Sequence, residues 1–480
     1  MTRDQRLVLS IAVGASFVAF MNNTVITVAL PRITADLGGG LAGQQWMINA
    51  YLVTLGSLIL VAGSVSDAFG RGLVLRVGLV GFALASAAIS LAPTVELMIA
   101  FRALQGAAGA FLVPSSLALI TSTFHDAAQA RAIGIWTATT SAASIVGPVL
   151  GGLLSEFLSW RWAFVANLLP IAIVLLLIGL LKLRDVPKGG RVDLFGALLC
   201  ALGLGGLVTA LIEGSNQGWN TPLVLGCLFG GGAMFFAFIA RQRYGSSPIV
   251  PLELFRRRNF WSGNLATVFV YAALSLNGFA LAIFLQQSVG LSATAAGLAS
   301  LPMTIVMILG SFSIGSLSGR FGARVFMTVG PVMMAVGSLL FLTVSADFNY
   351  WQQVLPGVVV FGVGLTMTVS PLTSAVLGSV PSERAGTASA INNAVARLSS
   401  LVIVAVLAVI VGGQIDLSGF HRAAVVTAAL LAAGALASWV GIRAAVAPSS
   451  RSLTSVTAEP CTASDVPMPV GVARTDPKQA

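Results

Sequence analysis

Residues 63–78 read GSVSDAFGRGLVLRVG and residues 315–330 read GSLSGRFGARVFMTVG, with seven of 16 positions identical and no gap. The shared positions are Gly63/Gly315, Ser64/Ser316, Ser66/Ser318, Phe69/Phe321, Gly70/Gly322, Val77/Val329 and Gly78/Gly330. Each copy is a short polar bridge between two long apolar runs. A weaker echo pairs Pro114-Ser-Ser-Leu with Pro371-Leu-Thr-Ser. The chain repeats one bridging element, so the nature of the apolar runs on either side decides the fold.

Those runs belong to a membrane. Of 480 residues, 56% are hydrophobic and only 9% charged, and the mean hydropathy is +0.93. A soluble domain carries about 25% charged residues, so a soluble enzyme is excluded. A spanning helix needs about 20 mostly apolar residues. Fourteen runs qualify: 7–30, 45–65, 73–92, 96–119, 131–154, 163–182, 194–213, 222–240, 262–286, 295–317, 325–344, 353–376, 387–411 and 422–442. The first is too long for a signal-peptide core, and no small-x-small cleavage site follows it. The 52 glycines fit close packing of helices in lipid.

Charge gives the orientation. Twenty-one of the 26 Lys and Arg fall on the side of the N-terminus, three (Arg32, Arg161 and Arg422) on the opposite side, and two (Arg102 and Arg397) inside spans. That bias places both termini in the cytoplasm and explains the net charge of +10 without nucleic acid. The loops at 183–193 and 241–261 are basic topology signals, and the Pro-, Ser- and Thr-rich stretch from 443 reads as a disordered tail.

The copies lie eight runs apart. Two related six-helix bundles, 1–182 and 262–442, with two helices inserted over 183–261, account for that offset. The expected fold is all-α and integral to the membrane. Parallel repeats of this kind place a substrate site near the midplane and alternate access by rocking.

Several segments resemble the major facilitator superfamily. Gly63-Ser-Val-Ser-Asp67-Ala-Phe-Gly70-Arg71 is similar to its signature between helices 2 and 3. Arg102-Ala-Leu-Gln105-Gly106 resembles its intramembrane arginine motif, and Gly147-Pro148-Val-Leu-Gly151-Gly152 its antiporter motif. Ser159-Trp160-Arg161-Trp162-Ala-Phe164 and Asn22-Asn23-Thr24 through Pro31 look like the fourteen-helix drug–proton antiporter branch. The resemblance implies a secondary transporter that exports amphiphilic small molecules, coupled to protons and working as a monomer in the cytoplasmic membrane. It implies a conformational latch at Gly63, Asp67, Gly70, Arg71, Gly315 and Gly322, made asymmetric by Gly319 in the place of Asp67. It also implies coupling or cavity roles for Asn22, Asn23, Arg102 and Gln105, and the census of polar groups at depth adds Arg397 to them.

The residues themselves sharpen this picture. An intramembrane cation such as Arg102 is expensive unless paired or hydrated, and Gln105 lies on the same helical face. Gly147 and Gly151 allow close packing, Pro148 kinks its helix, and Trp160 and Trp162 fit an aromatic belt at the water boundary. The departure is at Asn22, where the drug–proton branch usually has aspartate. None of the 16 acids falls in the middle of a span, and Glu156 and Glu213 at helix ends are the nearest proton carriers. With two intramembrane arginines and no mid-span acid, neutral or anionic amphiphiles are expected over cations.

The alternatives are an exporter of a native metabolite or lipid and, more remotely, a membrane-embedded enzyme or a channel. Cys200 and Cys227 lie in apolar runs and Cys461 in the tail, so no metal site, cofactor or disulfide framework is expected. No P-loop pattern is present, so ATP is not the driver.

Overall fold

In lipid every backbone N–H and C=O must be satisfied within the protein, which a helix does inside one segment. The computed structural model describes residues 1–124, 126–181, 193–245, 250–380 and 385–442, and it is helical with no strand among them. The basic stretch 182–192, Glu383 with its neighbours 381–384 and the tail beyond 442 lie outside the described residues.

The chain begins with α1 (Arg3–Leu37), α2 (Gly40–Phe69), α3 (Arg71–Ser90), α4 (Val95–Gly109), α5 (Leu112–Thr123), α6 (Asp126–Phe157), α7 (Trp160–Val165) and α8 (Leu168–Leu180). Two helices follow, α9 (Leu194–Gln217) and α10 (Pro222–Tyr244). The remainder is α11 (Arg258–Ile283), α12 (Ala293–Ala299), α13 (Leu301–Phe321), α14 (Ala323–Leu340), α15 (Leu355–Leu377), α16 (Ala385–Ala405), α17 (Leu407–Val411) and α18 (Leu417–Gly441). Among the described residues, 12 helical segments are long and apolar enough to cross a membrane.

Local chemistry explains the ends. Thr2 caps α1 through a capping box with Gln5, which satisfies two otherwise open amides. Gly70 ends α2 at φ 97° and ψ 133°, and Gly322 ends α13 at φ 84° and ψ 143°. Their N–H groups donate to Ser66 O and Ser318 O, each at 3.0 Å. The two copies of the repeated sequence therefore fold into the same left-handed turn, which favours glycine.

Neighbour relations recur as well. α1 packs on α6 and α8 as α11 packs on α16 and α18; α2 packs on α4 as α13 packs on α15. α3 meets α4 as α14 meets α15. Burial ranks the helices: the apolar windows of α11 and α1 are 67% and 61% buried, but that of α10 only 17%. α9 leans on α2 and α10 on α9, so this pair sits at the rim.

Candidate functional site

The polar residues of the first eight helices form one network. Asn22 on α1 is 1% exposed, and Arg102 and Gln105 on α4 are 0% exposed. Arg102 Nη1 donates to Gln105 Oε1 at 2.6 Å, Arg102 Nε donates to Met47 O at 2.9 Å, and its guanidinium stacks 4.4 Å over the Tyr51 ring. Gln105 Nε2 donates to Ser86 Oγ at 2.8 Å and to Asn22 Oδ1 at 3.3 Å. Asn167 Nδ2, just before α8, donates to Asn22 Oδ1 at 3.2 Å. Side chains of α1, α3, α4 and the α7–α8 break, together with the Met47 carbonyl of α2, thus share one chain of hydrogen bonds.

Two consequences follow. Arg102 does not reach the water boundary by snorkelling, because it is sealed among helices and satisfied by amide, carbonyl and aromatic partners. No carboxylate among the described residues forms an ion pair with it, so the charge rests on dipoles alone. Arg102 Nη2 and Asn167 Oδ1 are buried with no partner, which leaves the network incompletely satisfied.

The seam between α1–α8 and α11–α18 is built from other residues. Gln45 Nε2 on α2 donates to Val404 O at 2.6 Å and Ala405 O at 3.1 Å, the carbonyls at the break between α16 and α17. Gln286 Nε2 donates to Val28 O of α1 at 3.1 Å. Glu156 Oε2 at the end of α6 accepts from the Thr294 amide at 3.1 Å. Arg397 on α16 is half-buried, with its guanidinium 5.9 Å from the Phe20 ring of α1.

The antiporter-type motif divides its faces between these surfaces. A Cβ at Gly147 would collide with Thr24 Oγ1, and one at Gly151 would lie 2.9 Å from Val25 O, so both glycines admit α1. A Cβ at Gly152 would lie 2.7 Å from Thr294 Cα, and one at Gly297 2.6 Å from Pro148 O. Gly152 and Pro148 therefore admit α12 across the seam.

Other expected residues find quieter places. Glu213 accepts from Trp46 Nε1 at 2.9 Å and Gln217 Nε2 at 2.8 Å, which ties α9 to α2 at the rim. Trp162 is exposed, whereas Trp160 is 4% exposed and donates through Nε1 to Asp36 Oδ2 at 3.0 Å. Arg161 Nη1 meets the same oxygen at 2.6 Å, so the Trp-Arg-Trp segment clamps α7 to α1. Arg71 Nη1 donates to Ala118 O at 3.0 Å. Asn23 is half-buried. The side chain of Asp67 lies outside the described residues, as do the details of Gly63 and Gly315.

Tyr51, Ser86, Asn167 and Gln45 were missed by sequence reasoning. An Asn or Gln inside an apolar run was the available signal for Asn167 and Gln45; Tyr51 and Ser86 gave none. A separate apolar cleft of about 380 Å³ lies between α11, α16 and α18, lined by Phe269, Ala272, Leu398, Val402 and Leu430.

A helical bundle with a repeated turn, matching neighbour relations and a buried intramembrane arginine defines a multi-pass membrane transporter. The chain belongs to the Major Facilitator Superfamily, whose family model matches residues 12–404. It is 34% identical over 397 residues to the methylenomycin A resistance protein of Bacillus subtilis, covering 82% of this chain and 84% of that one. It is 33% identical over 437 residues to the multidrug efflux pump LfrA of Mycolicibacterium smegmatis, covering 89% and 84%. The fold is shared with a peptide transporter crystallised with sulfate, at a TM-score of 0.68 and 13% identity, over 91% of this chain and 94% of that one. It is a transporter, not an enzyme.

Proposed function

We propose that the protein exports amphiphilic small molecules from the cytoplasm by alternating access, in exchange for protons. The observation that carries this is the similarity, along more than four fifths of the chain, to proteins named for antibiotic resistance and multidrug efflux. Two six-helix halves, 1–182 and 262–442, rock about the seam at Gln45, Gln286 and Glu156. The matching neighbours of α1 and α11 support that division. Adding α2, of 30 residues, and α6, of 32, to the 12 apolar segments gives fourteen crossings. The Lys and Arg bias puts both termini in the cytoplasm of a cell membrane, and the repeat within one chain supports a functional monomer.

The buried charge indicates the substrate. Arg102 is compensated by dipoles only, so the interior of the first half is neutral to positive. A second cation about 4 Å away would cost about 4 kcal/mol at an effective dielectric of 20. Neutral or anionic amphiphiles are therefore the preferred cargo, and quaternary ammonium compounds are disfavoured.

Uptake into inverted membrane vesicles tests both points. A neutral or acidic amphiphile should accumulate when a pH gradient is imposed, and accumulation should collapse with an uncoupler. A permanently cationic dye should not accumulate. Robust transport of the dye overturns the substrate reading, and uptake indifferent to the gradient overturns the coupling.

A further inference from the structure

Among the described residues, three side chains carry the hydrogen bonds across the seam: Gln45, Gln286 and Glu156. All three act at the end of the bundle opposite the N-terminus, and two are amides that never titrate. The third is a carboxylate. Glu156 stands in the last turn of α6, half-buried, where water-borne protons reach it. Its Oε2 accepts from the backbone N–H of Thr294 at 3.1 Å. That N–H is one of the open amides in the first turn of α12, so a side chain of one helix group completes a helix end of the other.

Around this contact the two groups meet backbone to backbone. Gly152, one turn before Glu156, packs against Thr294, and Gly297, one turn after Thr294, packs against Pro148. Separation of α6 from α12 breaks the carboxylate–amide bond along with these contacts. The reverse also holds, because a bond made only in the closed arrangement shifts the balance towards closure by its own free energy.

We propose that Glu156 is an acid-labile clasp: its protonation from the adjoining aqueous phase releases the Thr294 amide and favours opening of this end of the seam. The inference deepens the proton-coupled reading above and rests on it for orientation, which makes this the outer face. It also supplies what the middle of the chain lacks, since the proton acts at the seam instead of at a mid-span acid.

The sign follows from the chemistry. An ionised carboxylate accepts a charge-assisted hydrogen bond, and the protonated acid accepts a weaker one. The closed arrangement therefore prefers the ionised form, and the preference for closure is lost as pH falls through the Glu156 titration. The charged and polar groups around it agree. The Ser292 hydroxyl and the Arg32 guanidinium of α1 act on the carboxylate together with Thr294. The Asp36 carboxylate of α1 is held by Arg161 of α7 at 2.6 Å. Helices α5, α12 and α13 bring no titratable side chain to this end.

Spin labels at Phe157→Cys and Leu298→Cys, both exposed, report the separation of α6 from α12. They are placed in protein whose Cys200, Cys227 and Cys461 are replaced by Ala, reconstituted in lipid nanodiscs without substrate. Pulsed electron–electron distance measurement is made from pH 8 to pH 5. A loss of the short-distance population on acidification is expected, over about two pH units as for one proton. Glu156→Gln should show the long distance at both extremes. Arg32→Gln, which removes a stabilising cation without touching the seam, should move the transition to higher pH; it serves if Glu156→Gln does not accumulate. An unchanged distribution in the parent protein, or a parent-like response in Glu156→Gln, overturns the proposal. No substrate or gradient is present, so the result stands apart from the vesicle uptake that tests export itself.

Discussion

Gln105 on α4 and Asn22 on α1 face each other with their side-chain amides paired, Gln105 Nε2 donating to Asn22 Oδ1 at 3.3 Å and Asn22 Nδ2 to Gln105 Oε1 at 3.5 Å. The same Gln105 oxygen accepts from Arg102 at 2.6 Å. One glutamine therefore carries the position that the drug–proton branch usually gives to an acid into contact with the buried arginine.

Asn22→Asp tests what that neutral position decides. The new carboxylate keeps both donors, Gln105 Nε2 and Asn167 Nδ2, and lies one residue from Arg102 through Gln105. The protein should still accumulate, and efflux of a permanently cationic dye should rise above the parent level. Dye efflux with membrane abundance measured alongside checks this; no gain at normal abundance counts against the electrostatic account.

Arg102→Ala should damage stability as well as transport. It removes three partners at once and leaves a void among α2, α3 and α4, at a cost of about 3 kcal/mol or more. The midpoint of thermal unfolding in detergent should fall by several degrees. Arg102→Lys should recover little, because a lysine cannot donate to Gln105 and Met47 while stacking on Tyr51.

Gly147→Ala should lower folded yield, since the added methyl group collides with Thr24; overpacking of this kind costs about 1–3 kcal/mol. Thr24→Ala in the same chain should restore part of the loss. Gly134→Ala, where nothing lies within 4 Å, should be harmless. Fluorescence-detected size exclusion of the four proteins gives the comparison, and equal profiles for Gly147→Ala and Gly134→Ala refute the packing role.

Gln45→Leu should loosen the seam at the break after α16. Two hydrogen bonds to Val404 and Ala405 are lost, at about 1 kcal/mol each, so the closed-to-open ratio should fall by about tenfold or more. A cysteine placed at Val28 should then react correspondingly faster with a membrane-impermeant maleimide added outside. An unchanged rate means that Gln45 does not hold the seam.

Asp67→Asn should impair efflux while membrane abundance stays normal, because Asp67 occupies the bridge whose counterpart has Gly319. Efflux at the parent level with normal abundance reduces Asp67 to a topology charge.

The amino-acid sequence by itself determined that the chain lives in lipid, that it is all-helical and that it carries a repeat, but not the breaks that split the runs 96–119, 163–182, 295–317 and 387–411 into two helices each. Each of the first three depends on local quantities: the length of an apolar run, a glycine needed at Gly70 and Gly322, a count of basic loop residues. It also marked Asn22, Arg102 and Gln105, because polar atoms inside apolar runs demand partners. Who those partners are was decided only by the tertiary structure. Arg102 is joined to Tyr51 and Met47, Gln105 to Ser86, and Asn22 to Asn167, through contacts between helices far apart in the chain. No periodicity records which helix faces which. The seam shows the same limit, since nothing in the sequence around Gln45 or Glu156 names α16 or α12 as the helix packed against it. A hydrogen bond is set by distance and angle between two backbones, and in a bundle of similar apolar helices only close packing fixes those.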